Sequence, residues 1–252
     1  MEVDEEAAGV ELELRGRADA GDVDSMNELG SILEEGSRRE EAEQWFRKAA
    51  DLGHDWSMND LGKLCRKEGR REEAEQWFRK AADLGHDWSM NDLGMLLTND
   101  DRREEAEQWF RKAADLGHDW SMNDLGMLLK EDDKPEEAEQ WFRRAAELGN
   151  ISAMDNLGDL LSVRRRAEEA EQWFRKAIES NHVRSMCGLG TLLQEGGRSD
   201  EAEQWFRKGA EADHIGSMWK LAELLRQAGH GDEANEWRSK ADVLVHGPID
   251  GS

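Results

Sequence analysis

Apolar residues recur along this chain at steps of three and four, the spacing that lines up one face of an α-helix. In the segment Asp87 to Leu97, Met90, Leu93, Gly94 and Leu97 share such a face. From Arg103 to Leu116 the same spacing joins Ala106, Trp109, Phe110 and Ala113, with charged residues on the opposite side. Two amphipathic helices are therefore predicted, a first (helix A) and a second (helix B). Glu104 and Glu105 fall in the first turn of helix B, where carboxylates oppose the positive helix end. Glu107 and Arg111 form an exposed i, i+4 pair on the same helix.

The pair recurs. The string REEAEQWFRKAADLGHDWSMNDLG stands unchanged at residues 39–62, 71–94 and 103–126. Trp45, Trp77, Trp109, Trp141, Trp173, Trp205 and Trp237 follow one another at 32 residues, and the methionines from Met26 to Met218 keep the same step. One pair cannot bury its own apolar stripe, whereas stacked copies can, so an all-α solenoid is expected. Gly53, Gly85, Gly117 and Gly149 mark the end of helix B, with Asn181 and Asp213 in the same column of later copies. These three residue types tolerate the left-handed conformation that closes a helix. Gly62, Gly94, Gly126, Gly158 and Gly190, then Ala222, are expected to let helix B approach helix A closely.

Charge narrows the partners. The net charge of −24 argues against nucleic acid, which needs a basic surface, and against anionic membranes, while permitting a basic or mixed-charge protein partner. The start MEVDEEAAG is acidic, and no apolar run approaches a membrane span of about 20 residues. Cys65 and Cys187 lie about four repeats apart, on the order of 40 Å if helices stack at roughly 8–10 Å. A disulfide is therefore not expected, and reduced thiols in a cytoplasmic protein are.

The pattern Met-x2-Leu-Gly-x2-Leu followed by Ala-x3-Phe-x2-Ala, as in Met90, Leu93, Gly94, Leu97, Ala106, Phe110 and Ala113, resembles the tetratricopeptide repeat. It departs from that family in lacking first-helix aromatics and the proline after helix B. The shorter joint, as in WFRKAADLGH, is similar to Sel1-like repeats. The resemblance covers residues 24 to 243. It implies a right-handed α-solenoid, a superhelix whose helix A lines the concave face, and a peptide-backbone contact for Asn59, Asn91 and Asn123. Residues 1–9 are then expected to be an acidic tail, 10–245 a single solenoid, and 246–252 a flexible tail. Seven repeats follow an N-terminal half-repeat at residues 10–21, in which Glu13 replaces the tryptophan. With Arg238 in the last Phe column, both ends look polar-capped, and a complete, monomeric array is expected.

Columns that vary between copies are the candidate ligand contacts. One runs Asp24, Trp56, Trp88, Trp120, Ser152, Arg184, Gly216. Because Ser, Arg and Gly are accepted there, the three tryptophans are candidate aromatic platforms, the alternative being that they cover the joint between repeats. Three residues on stand Asn27, Asn59, Asn91, Asn123, Asp155, Cys187 and Trp219; these either contact a ligand or cap the helix surface. Lys63, Met95, Met127 and Lys130 extend the same stripe, which in copies five to seven offers Asp155, Asp159, Arg184 and Trp219. The repeated Ser25, Ser57, Ser89 and Ser121 give way to Ala153, so only a small residue is expected to be needed there. His54, His86 and His118 would lie on the order of 10 Å apart, too far to share a metal, and are read as joint residues. No catalytic group and no cofactor is expected. The pattern points to a non-enzymatic protein- or peptide-binding scaffold. A binder of a small amphipathic molecule in the same groove, or a structural array without a groove ligand, are the alternatives.

Overall fold

A computed structural model describes residues 2–247, with side chains from residue 8 onward. Among the described residues all regular structure is helical, in fifteen helices. They are α1 (Glu2–Asp19), α2 (Val23–Glu35), α3 (Arg39–Asp51), α4 (Asp55–Lys67), α5 (Arg71–Asp83), α6 (Asp87–Asn99), α7 (Arg103–Asp115) and α8 (Asp119–Glu131). There follow α9 (Pro135–Glu147), α10 (Ile151–Val163), α11 (Ala167–Glu179), α12 (Val183–Glu195), α13 (Ser199–Glu211), α14 (Ile215–Gln227) and α15 (Gly231–His246). Even-numbered helices are helix A and odd-numbered ones helix B. The predicted alternation of pairs holds throughout, with α1 as the leading half-repeat. Helix α1 includes residues 2 to 9, and residues 248–252 of the expected C-terminal tail lie outside the described residues. The helices group into two compact units, Met1–Ser121 and Met122–Ser252.

In the first unit α2 packs on α3, α4 on α5 and α6 on α7; in the second α10 packs on α11, α12 on α13 and α14 on α15. The glycine column explains how closely. A Cβ on Gly62 would stand 2.5 Å from the Phe78 ring, and one on Gly158 would stand 2.7 Å from Phe174. Each bare helix A backbone therefore seats one phenylalanine of the following helix B, and Phe46, Phe78, Phe142, Phe174 and Phe206 are fully buried.

The joint from B to A takes three residues, such as Leu84, Gly85 and His86. After α5, Gly85 at φ 95° donates its N–H to Ala82 O at 3.0 Å, and His86 donates to Ala81 O at 3.1 Å, closing the helix from outside. Asn181 (φ 62°) and Asp213 (φ 59°) take the same left-handed conformation, as expected of that column. A second left-handed column lies in every A-to-B turn; Arg165, at φ 60°, occupies it although it carries a Cβ.

Charged side chains on the helix B side join successive repeats. Arg70 bonds Glu73 of its own helix and Glu43 of the preceding one, while Arg47 reaches forward from Glu43 to Glu73. Arg166 with Glu139 and Glu169, and Arg198 with Glu171 and Glu201, repeat the device in the second unit. Solvent screens such pairs, so each adds little to stability. The repeated Trp77 lies under the Lys80 ammonium, 3.8 Å from the ring centroid, so the charge covers the outer face of a buried indole.

Candidate functional site

In the first unit the variable tryptophans stand in the first turns of their helices. Trp56, Trp88 and Trp120 are 49%, 43% and 48% exposed. Each of the first two leans against the histidine that begins the next helix A. Trp56 meets His86 with ring centroids 4.5 Å apart and planes at 81°, and Trp88 meets His118 at 4.6 Å and 77°. Both histidines are buried under this contact. The edge-on arrangement suits the charge distribution of aromatic rings, and about half of each indole is left to solvent.

The histidines are helix caps. His86 Nδ1 accepts from the Ser89 backbone N–H at 3.1 Å, and His118 Nδ1 does the same for Ser121 at 3.2 Å. An accepting Nδ1 leaves the proton of a neutral imidazole on Nε2, which in both residues is buried and lacks a hydrogen-bond partner. Burial pushes the His86 pKa down from its ordinary value, so this ring is held neutral. The joint role expected of the histidines stands, with a specific function added.

The serines carry more than smallness. Ser57 Oγ donates to Asn27 Oδ1 at 2.7 Å, thirty residues back. One repeat later Asn59 Nδ2 donates to Ser89 Oγ at 2.9 Å and to Asp92 Oδ2 at 3.1 Å. Asn59 thus reaches two positions of the next repeat, 30 and 33 residues on. Where Ala153 removes the hydroxyl, Asn156 supplies the bond instead, donating to Asn123 Oδ1 at 2.9 Å. A small residue is sterically sufficient, and the donor moves three positions along.

This places Asn59, Asn91 and Asn123 among the buried residues, with the amides of Asn59 and Asn123 bonded to the next repeat. Lys63, half-buried, lies 3.8 Å from Asp60 and 3.9 Å from Asp92, and Arg66 pairs with Asp92 at 3.2 Å. Desolvation raises the Asp60 carboxyl above its ordinary pKa despite Lys63 beside it. Met95 is half-buried on the same helix face.

The second unit uses the same columns differently. Asp155 stands where other copies have Asn; it is 1% exposed, and its Oδ1 accepts from Ser185 Oγ at 2.6 Å. Its Oδ2 has no hydrogen bond, and the Arg184 guanidinium, 3.2 Å away, is its nearest charge. Arg184 also reaches Asp159 at 2.9 Å. A cleft of about 510 Å³ opens here, lined by Asp155 and Asp159 of α10, Arg184, Cys187, Gly188 and Thr191 of α12, Phe174, Lys130 and His214. Met127 is half-buried and Lys130 exposed. Trp219, 49% exposed, borders a separate cleft of about 540 Å³ with Glu223, Arg226, Arg238 and Asp242.

Gly188 escaped the reading of the sequence. Its column runs Glu28, Asp60, Asp92, Asp124, Asn156, Gly188, Lys220, so a side chain is missing only there. The signal was available, but it meant something only once the partner 33 residues back was known. Both cysteines are free; burial pushes the Cys65 thiol up to about 11 and raises Cys187 as well. No helix among the described residues is long and apolar enough to cross a membrane.

Family models described as tetratricopeptide repeat match residues 56–85, 88–117, 120–149, 151–181 and 183–208, and one described as Sel1 repeat matches residues 23–54. A protective antigen of uropathogenic Escherichia coli with an SLR fold is 25% identical, with a TM-score of 0.76 over 90% of this chain and 55% of that one. The chain thus spans about half the length of that protein. A Sel1 repeat protein from Oxalobacter formigenes is 22% identical (TM-score 0.62, 79% of this chain and 96% of that one). YrrB, titled a TPR protein with an unusual peptide-binding site, is 20% identical (TM-score 0.53, 69% and 95%). No curated protein sequence matches the chain.

Proposed function

Because the chain belongs to the tetratricopeptide and Sel1-like repeat family, we propose that it is a non-enzymatic scaffold that holds a segment of another protein against its helix A side. The observation that carries this reading is the half-exposed row Trp56, Trp88 and Trp120. The column accepts Asp24, Ser152, Arg184 and Gly216 elsewhere, so the stack does not require an indole. Half-exposed indoles, two of them held against buried histidines, supply large, rigid contact area at little entropic cost.

Within this reading Lys63 and Met95 flank the tryptophans in the first unit, and Met127, Lys130, Asp155, Arg184 and Trp219 serve the second. Asn59, Asn91 and Asn123 hold the face from beneath rather than touching the guest. The surrounding carboxylates favour a segment of basic or mixed charge. Two unpaired, weakly acidic thiols are in keeping with a reducing, cytoplasmic setting.

The test is affinity capture from lysate of the source cells with the wild type and with a Trp56→Ala, Trp88→Ala, Trp120→Ala variant. Helicity should be unchanged and the bound partner lost, since truncating an anchoring tryptophan costs about 2 kcal/mol or more of binding. Undiminished capture by the triple variant overturns the reading.

A further inference from the structure

We infer that the joint edge of the first unit is a track for a basic amphipathic helix of another protein, with one heptad of the guest to each repeat. The inference rests on the reading that the chain holds a protein segment, and it names that segment's charge and conformation.

A second apolar row accompanies the tryptophans. Leu52, Leu84 and Leu116 begin the joints after α3, α5 and α7, and they are 62%, 59% and 60% exposed. The stack does not need them, since Ser180 and Ala212 fill the same column in later copies. Trp56 rests on His86, two residues after Leu84, and Trp88 rests on His118, two residues after Leu116. The indole of one copy and the leucine of the next therefore belong to one stretch of surface. A lone exposed leucine is ordinary, whereas two apolar rows kept through three successive copies mark a contact face.

Carboxylates line the same edge. Asp51, Asp83 and Asp115 precede the leucines and are exposed. Asp55 and Asp87 precede the tryptophans, and Oδ1 of each accepts from the backbone N–H of Trp56 and Trp88 at 2.8 Å, which fixes the charge beside the ring. This second acid comes only with the indole: in the other copies its column carries Val23, Ile151, Val183 and Ile215. The lysines in the last turns of α3, α5 and α7 are drawn elsewhere. Lys48, Lys80 and Lys112 lie over Trp45, Trp77 and Trp109, 3.7, 3.8 and 3.7 Å from the ring centroids. An apolar edge so lined selects a cationic guest.

The step of the rows selects its conformation. Stacked helices set successive joints on the order of 10 Å apart. Seven residues of an α-helix advance about 10.5 Å and bring the same face round again. Two apolar positions per heptad, flanked by basic ones, then meet one leucine, one tryptophan and their carboxylates in every copy. A β-strand repeats its face about every 6.6 Å and falls out of step. A polyproline segment advances about 9.3 Å per turn, but it offers one row of side chains to an edge that has two. The carboxylates repel an anionic lipid surface.

The probe is an acetylated and amidated peptide of three heptads, each Leu-Lys-Ala-Leu-Lys-Ala-Lys, titrated into the full-length, nitrogen-15-labelled chain. The indole N–H signals of Trp56, Trp88 and Trp120 should shift saturably, and a carbon-13-labelled probe should turn helical on binding. A peptide of the same composition with its leucines spread around the helix, one with Glu for Lys, and a Pro-Lys-Pro repeat of equal charge should each bind about tenfold more weakly or worse. The combined variant Leu52→Ser, Leu84→Ser, Leu116→Ser should weaken the probe about tenfold or more, because apolar contact is lost in every copy. Asp51→Asn, Asp83→Asn, Asp115→Asn should weaken it by a similar factor and flatten its salt dependence. Glu40→Gln, Glu72→Gln, Glu104→Gln, the same charge change at the far ends of the same helices, should alter it less than about twofold. Circular dichroism of each variant separates a lost contact from unfolding.

Equal binding of the rearranged, Glu or proline peptide would overturn the inference, as would full affinity in the leucine variant or an equal loss in the glutamate variant. Pelleting of the chain with phosphatidylcholine vesicles, or self-association that the leucine variant abolishes, would give the edge to a lipid surface or to a second copy instead. Partner capture that survives the tryptophan substitutions sinks the scaffold reading. Capture lost with the tryptophans but kept by the leucine variant sinks only the helix track, so the two failures are separate results.

Discussion

Asn59 in the first unit and Asp155 in the second occupy one column, are both almost fully buried, and both bond the serine thirty residues on. Around Asn59 the next repeat supplies Asp92 as a second partner; the corresponding residue beyond Asp155 is Gly188, against which the Phe174 ring packs, and the second oxygen of Asp155 pairs with Arg184 at 3.2 Å instead. In the first arrangement the strut is a neutral amide whose donors are spent inside the stack. In the second the strut is itself a buried carboxylate, held by an arginine of the next helix A. The difference teaches that one column can hold a neutral amide in one copy and a charge in another while making the same bond to the serine thirty residues on. Which of the two is tolerated depends on what the neighbouring repeat supplies as a second partner.

The largest expected effect tests what the units share. Phe78→Ala and Phe174→Ala should each cost about 3–5 kcal/mol in denaturant unfolding, because each ring is buried in a seat made by helix A glycines. If Phe174→Ala costs markedly less, its second glycine, Gly188, has loosened the core and the units differ in packing as well as in chemistry.

The struts come next. Asn59→Ala should destabilise by about 1–3 kcal/mol, since Ser89 and Asp92 lose a buried donor. Asp155→Asn should stay within about 1 kcal/mol of wild type or gain stability, because the amide can still accept from Ser185 and a desolvated charge is removed. Equal losses in the two variants would erase the distinction between a neutral and a charged strut.

The smallest effect concerns the histidine caps. The folded pKa of His86 lies below the ordinary 6.5, so the unfolded chain binds its proton first as pH falls. Its contribution to stability is therefore complete above about pH 6.5 and is lost as pH falls from there toward the folded value. His86→Asn, which copies the cap at Asn150, should change stability at neutral pH by less than about 0.5 kcal/mol and flatten this acid loss. Trp56→Ala uncovers the ring and should move its pKa back up in a proton NMR titration. An unmoved value would show that the indole does not bury the imidazole.

Much of the architecture was legible because its causes are local or repeated. The 32-residue step, the helix pairs, the left-handed Gly85 and Asn181 joints and the close seating of helix B follow from periodicity and backbone sterics. The site was legible in part. Trp56, Trp88 and Trp120 could be separated from the core because their column varies, and the structure leaves them half-exposed. The asparagines were not legible: a polar residue on a variable helix stripe suits a ligand contact or a surface cap, whereas Asn59 is fully buried.

By itself the sequence determined the repeat, its period, the residue types each column tolerates, and the surplus of negative charge. Those are properties of spacing and composition, which the chain carries without being folded. Only the tertiary structure decided which side chains meet across repeats: that Ser57 finds Asn27, that Trp56 covers His86, and that Asp155 pairs with Arg184. The physical reason is that a hydrogen bond between residues thirty positions apart depends on the offset of stacked helices, which no single repeat encodes, and burial fixes its importance only once that offset exists.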